Sequence, residues 1–142
     1  MFKRLKRGKK EVWGEGDKPN SKVKNATKVE IDGVKFRSKI EAFTFKKLRD
    51  EGFNFKYEEV TFTIQEKFEF FDGEKVRPIT YTPDFVDDKN LIIVEVKGFA
   101  NETFPIRMKL FKNYLYRNNL KYKIFIVSSQ KQIEELIIKL KI

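Results

Sequence analysis

Asp84, Glu95 and Lys97 are the residues of this 142-residue chain whose types and spacing could do chemistry. Asp84 stands in Tyr81-Thr82-Pro83-Asp84-Phe85, and Glu95-Val96-Lys97 ends the apolar run LIIVEVK (91–97). In extended chain, Leu91, Ile93, Glu95 and Lys97 share one face, and Ile92, Val94 and Val96 the other. Both faces are apolar until Glu95 and Lys97. A carboxylate and an ammonium at the end of a buried strand need a partner, a metal or solvent to offset desolvation. A strand tip reaching water would account for Glu-x-Lys by itself, and a local Pro-Asp turn for Asp84 by itself. The short turn from Phe85 to Asn90 changes that balance, because antiparallel pairing around it can set Asp84 beside Glu95. Two carboxylates that close repel unless a cation lies between them, and all-oxygen ligation suits Mg²⁺ or Mn²⁺ rather than zinc.

Glu41 is a third carboxylate of interest. Ser38 and Glu41 have capping-box spacing, which would suffice to explain both. A projection at about 100° per residue, however, puts Glu41 between Leu48 and Phe45, inside the apolar arc and facing the rest of the fold.

Composition narrows the chemistry further. The chain has no His and no Cys, which excludes zinc fingers, disulfide frameworks and Ser-His or Cys-His nucleophile pairs. It carries 31 Lys+Arg against 21 Asp+Glu, a net charge of +10, and a basic chain of this size is expected to meet nucleic acid. The charge is unevenly placed. Residues 1–28 hold 10 basic and 3 acidic side chains, residues 29–98 hold 12 and 15, and residues 99–142 hold 9 and 3. Two basic ends thus surround an acidic middle that contains Glu41, Asp84 and Glu95. No apolar run is long enough for a membrane span, and the basic start has no apolar stretch behind it to make a signal peptide. The expected setting is cytoplasmic, that of the host cell if the chain is phage-encoded.

The elements that must position these residues can be read in outline. Residues 1–28 have the Gly, Pro, Asn and Lys density of a flexible basic arm, and Lys3, Arg4, Lys6, Arg7, Lys9 and Lys10 are expected to track a phosphate backbone. Residues 29–142 read as one domain. Asp32-Gly33 predicts a two-residue hairpin turn, and Ser38 starts a helix closed by Gly52. Two long strand-like runs, FKYEEVTFTIQEKFEFF and KVRPITYTPDF, flank a turn at Asp72-Gly73-Glu74, with Pro78 and Pro83 as edge positions or breaks. Residues 104–119 read as a helix with Pro105 in its first turn, and residues 122–128 as an apolar strand. A last helix opens with the capping box Ser129 to Gln132. The order predicts a mixed α/β fold, a central mixed sheet flanked by helices.

The set resembles the PD-(D/E)XK nucleases, whose active site is a Pro-Asp and Glu-x-Lys pair with an acidic residue on the preceding helix. Within that superfamily it is most similar to the phage endonuclease I type of Holliday-junction resolvase. The likeness rests on Phe36-Arg37-Ser38 with Glu41, Phe55-Lys56-Tyr57-Glu58-Glu59, Tyr81 to Phe85, Val94 to Gly98, and Val127-Ser128-Ser129. Other short phage proteins, and the nuclease subunit of some heteromeric transposases, look similar over the same motifs. Two departures are visible: a longer hairpin between Glu59 and Tyr81, and a basic segment at the N-terminal rather than the C-terminal side.

The resemblance implies a restriction-endonuclease-like core and a metal-dependent DNA endonuclease, selective for branched DNA such as Holliday junctions and acting as a homodimer in recombination. It implies Asp84, Glu95 and the Val96 backbone carbonyl as Mg²⁺ ligands, with Mn²⁺ able to substitute, Glu41 at a second metal position, and Lys97 orienting the attacking water. Arg37 and Ser38, at a helix start, would hold a flanking phosphate. Lys109, Lys112 and Arg117 on the second helix are either backbone contacts or a solvated face. A duplex-nicking or double-strand-cutting nuclease recruited by a partner stays open, as does a non-catalytic nucleic-acid-binding protein on the same fold.

Overall fold

The computed structural model describes residues 28–98 and 102–142. The basic arm lies outside the described residues, except for Lys28. The chain is a mixed α/β protein in the order β1 (Val29–Ile31), β2 (Val34–Phe36), α1 (Lys39–Asp50), β3 (Lys56–Tyr57), β4 (Phe62–Gln65), β5 (Phe68–Glu69), β6 (Lys75–Val76), β7 (Ile79–Tyr81), β8 (Phe85–Asp87), β9 (Ile92–Val96), α2 (Phe104–Arg117), β10 (Lys123–Val127) and α3 (Gln130–Leu140). No helix among the described residues is long and apolar enough to cross a membrane.

The local signals act as their chemistry requires. Asp32 and Gly33 both take positive φ, 51° and 80°, which is the turn geometry that matches the twist of the β1–β2 hairpin. Ser38 caps α1 by accepting from the Glu41 N–H at 3.3 Å. At the other end Gly52, at φ 85°, lets the Phe53 N–H turn back to the Leu48 carbonyl at 2.9 Å. Asn119 closes α2 in the same left-handed way, at φ 54°, with the Leu120 N–H on the Leu115 carbonyl. Ser129 caps α3 by accepting from the Gln132 N–H.

Four strands form the central sheet in the order β10-β9-β8-β3, with β9 and β10 parallel and the other pairs antiparallel. The alternation expected along β9 decides its packing. Val94 and Val96 face one core, with Phe36, Leu48 and Phe85 and with Ile133 and Leu136 of α3. Ile93 faces the other core, with Phe62, Tyr81, Met108, Phe111 and Leu115. Each fully buried side chain of this size stabilises the fold by roughly 1.5–3 kcal/mol. β9 is therefore held between α1 and α3 on one side and α2 on the other, and its C-terminal end is fixed in three directions.

The two long strand-like runs are segmented rather than continuous. Glu58, at φ 49°, ends β3, and a bulge between Thr63 and Gln65 interrupts the β4–β7 pairing. Pro83 separates β7 from β8. Apolar alternation carries across such breaks, so strand propensity alone overstates continuity. The predicted turn does form: the Phe70 N–H donates to the Glu74 carbonyl and the Asp72 carboxylate accepts from the Glu74 N–H, closing the outer hairpin β5–β6.

Candidate active site

The β8–β9 register pairs Phe85 with Val94, so the next position outward sets Asp84 opposite Glu95 on one face of the sheet. The Asp84 carbonyl points toward β3, where it accepts from the Glu58 N–H at 2.9 Å. Backbone groups alternate sides along a strand, so the pair after that, Pro83 and Val96, is one that should exchange ladder bonds. Pro83 has no N–H. The Asp84 Oδ2 instead takes the Val96 N–H, at 2.8 Å. The Val96 carbonyl points the same way as its N–H and receives no ladder donor from proline. Two carboxylates and one backbone carbonyl thus converge at the edge where β8 and β9 part.

Glu95 is only 7% exposed. Its Oε1 accepts from the Tyr81 hydroxyl at 2.8 Å, and the Tyr81 ring is stacked on Phe111 with centroids 4.3 Å apart. Burial pushes the Asp84 carboxyl up to about 6, helped by the charges of Glu41 and Glu58 and opposed by the Val96 N–H. Burial also pushes Glu95 up to about 8, with the Asp84 charge adding to the rise and the Tyr81 hydroxyl opposing it. In both groups burial is the first cause and neighbouring carboxylate charge adds to it, so the ionised pair is short of compensating partners.

That imbalance is what a hard cation would correct. The donor set is all oxygen, with a backbone carbonyl lacking its usual partner, and it fits Mg²⁺ or Mn²⁺. Among the described residues no three acidic side chains are drawn together as a ready-made cage. Asp84 and Glu95 are the nucleus, and Glu41 is held apart from them. Its carboxylate accepts from the Tyr57 hydroxyl and, at 3.3 Å, from the Arg37 N–H, and its charge still reaches Asp84.

The pair opens on a cleft of about 500 Å³ whose lining includes Arg37, Glu58, Tyr81, Lys97, Phe104 and Arg107. Lys97 stands beside the carboxylates as the sequence suggests, with its ammonium over the Phe104 ring, 3.9 Å from the centroid. Arg37 lies on the rim, 76% exposed, with its Nε 3.2 Å from Glu58 Oε1. Ser38 is engaged as the α1 cap. Lys109, Lys112 and Arg117 are exposed on α2, away from this cleft. Arg117 lines a second, larger groove of about 800 Å³ between β4 and α2, where the only other charged lining residue is Glu66.

Sequence reasoning missed Tyr57, Tyr81 and Arg107. Both tyrosines stand inside the quoted motifs, two and three residues from Glu59 and Asp84, but a Tyr in a strand reads as core. Only the contacts of their hydroxyls reveal them as the groups that orient Glu41 and Glu95. Arg107 lies over the Tyr81 ring at 5.4 Å and reaches the cleft from the first turn of α2, with no local signal to mark it.

No curated protein and no solved structure matches the chain. A family profile described as a protein of unknown function, DUF1064, matches residues 20–134, which span β1 through the start of α3 and every residue of the cleft. The chain belongs to the DUF1064 family.

Proposed function

We propose that this protein is a metal-dependent DNA endonuclease of the PD-(D/E)XK kind, acting on branched DNA. The observation that carries the reading is the convergence of Asp84, Glu95 and the Val96 carbonyl at the end of a buried strand, with Lys97 and Arg107 on the same cleft. A carboxylate pair lifted this far by burial is a poor phosphate binder and a good cation holder. A cation there would gain the Asp84 and Glu95 carboxylates and the Val96 carbonyl as partners.

Asp84, Glu95 and the Val96 carbonyl would hold the ion, with Glu41 an outer member of the set. When bound, a divalent cation supplies Lewis acidity toward the phosphoryl oxygens and the attacking water. Tyr81 fixes the Glu95 carboxylate and favours its ionised form. Lys97 orients the water and offsets charge on the phosphoryl group in the transition state. Arg107 and Arg37, which both line the cleft, bind flanking phosphates and set the strand in line. Contacts of this sort carry no base readout, which supports selection by DNA shape.

The test is cleavage of a four-way junction, a linear duplex and a single strand, with Mg²⁺, Mn²⁺ or EDTA, beside Asp84→Ala. Wild type is expected to cut the junction with either metal and not in EDTA, and Asp84→Ala not at all. Cutting by Asp84→Ala at the wild-type rate would sink the mechanism. Binding without cutting by both proteins would favour the non-catalytic reading, and equal cutting of duplex and junction would remove the branched-DNA assignment alone.

A further inference from the structure

The β4–α2 groove adjoins the cleft and shares its walls. Thr61, whose hydroxyl lies 2.8 Å from that of Thr82, lines both. Helix α2 also serves both. Phe104 and Arg107, in its first turn, line the cleft, and Leu110, Asn113, Tyr114, Arg117 and Asn118 line the groove. Those five stand at i, i+3, i+4, i+7 and i+8, one stripe of the helix, distinct from the buried stripe of Met108, Phe111 and Leu115. Arg107 falls about 60° from Leu110 around the helix, inside the arc of that same stripe. The helix therefore leads out of the cleft and along the groove, with Arg107 and Arg117 roughly 15 Å apart along its axis.

The lining is mostly neutral and polar. Lys109 and Lys112 of α2 lie off the groove, and the stripe that faces it offers amides instead. Gln65, Asn113 and Asn118 can each donate and accept, and Thr61 and Thr63 add hydroxyls. The Asn118 amide is held in place by its 2.8 Å bond to the Tyr114 carbonyl. Ile79 and Leu110, each about two-fifths exposed, give the groove apolar walls. Apolar walls with neutral hydrogen-bonding groups between them suit nucleobases, which present apolar faces and donor–acceptor edges. Arg117 and Glu66 offset each other, so the groove has no net charge to draw a duplex with its two rows of phosphates. We propose that the β4–α2 groove holds an unpaired DNA strand that leaves the cleft past Thr61. Arg107 and Arg117 hold its phosphates at the two ends, the amides meet base edges, and Ile79 and Leu110 cover base faces. This rests on the nuclease reading and narrows its substrate to branched DNA with a single-stranded arm, a flap or fork rather than a fully paired junction. A polypeptide could also add along β4, whose one strand partner among the described residues is β7, but it would gain nothing from the connection to the cleft.

Fluorescence anisotropy of a labelled oligothymidylate, in EDTA to withhold the metal, tests the groove without any cutting. Wild type is expected to bind it. Gln65→Glu with Asn113→Asp puts two carboxylates into the groove at nearly constant shape and should weaken that complex by roughly tenfold or more. Lys131→Glu, on α3 across the sheet, changes the net charge by the same amount and should bind as wild type does. Arg117→Ala should lower the salt dependence of log K by about one phosphate. Thermal unfolding of the double variant should match wild type, since Gln65 and Asn113 are both exposed. With Mg²⁺, wild type should cut a duplex bearing a single-stranded flap faster than a fully paired four-way junction, and the double variant should lose that preference. A wild type that does not bind oligothymidylate overturns the proposal, as does an equal loss of binding in Lys131→Glu. A flap preference that the double variant retains overturns it too. If no protein cuts any DNA while the groove variants alone lose the single strand, the nuclease reading fails and the groove stands as a single-strand site.

Discussion

The Tyr81 hydroxyl donates to Glu95 Oε1 across 2.8 Å, and this bond ties the second core to the carboxylate pair. Tyr81 is stacked on Phe111, so the packing of α2 fixes where Glu95 points. Removing the hydroxyl has two separable effects. Tyr81→Phe leaves a buried carboxyl short of one donor, which should cost about 1–3 kcal/mol in denaturant unfolding. It should also raise the Glu95 pKa further and move the alkaline-going limb of the cleavage pH profile upward. A stability loss with an unmoved profile would show that Tyr81 only packs.

Acidity should act on the metal-free fold in an unusual direction. Unfolded Asp and Glu release their protons near roughly pH 4, whereas folded Asp84 and Glu95 hold theirs up to about 6 and about 8. Between those limits the folded state binds more protons than the unfolded one, so stability falls as pH rises. Urea midpoints in EDTA are expected to drop between about pH 5 and about pH 8, and Asp84→Asn with Glu95→Gln to flatten that slope. A flat wild-type curve would mean that the two carboxyls titrate normally.

Divalent cations should reverse this trend. Binding to the ionised pair is expected to raise the unfolding free energy by about 2.7 kcal/mol at a concentration about a hundredfold above Kd. The gain should be larger at alkaline pH, where fewer protons compete. Thermal shifts with Mg²⁺ and Mn²⁺ at two pH values read this without any DNA. Asp84→Asn should abolish the shift.

Lys97 and Arg107 share the cleft but should fail differently. Lys97→Ala is expected to slow cleavage by about 10²–10³-fold while leaving DNA affinity nearly unchanged, since its charge matters most in the transition state. Arg107→Ala should weaken binding across sequences and reduce the salt dependence of log K by about one phosphate. Single-turnover rates and salt-titrated binding separate the two. Identical losses in both assays for both variants would argue that the pair merely holds the cleft open.

Much of this arrangement was legible along the chain because its determinants are local. Ser38, Gly52, Asn119 and Ser129 bound their helices where expected, since capping depends on a few neighbouring backbone groups. The alternation of β9 assigned its two faces, and the short link from Phe85 to Asn90 brought Asp84 beside Glu95. The strands from Phe55 to Phe85 were less legible. Their breaks at Glu58, at the Thr63–Gln65 bulge and at Pro83 depend on which partner strand each segment finds.

The sequence by itself determined the mixed α/β order, the facing of the central strand and the pairing of the two carboxylates. Periodicity, caps and turn length settle those within a few residues of chain. Tertiary structure decided the rest. It left the Val96 carbonyl opposite a proline, set Tyr81 on Glu95 and Tyr57 on Glu41, and brought Arg107 in from α2. It also set the β4–α2 groove beside the cleft, with Thr61 in both. Each of these depends on segments far apart in sequence meeting at one edge of the sheet, and no local pattern encodes that meeting.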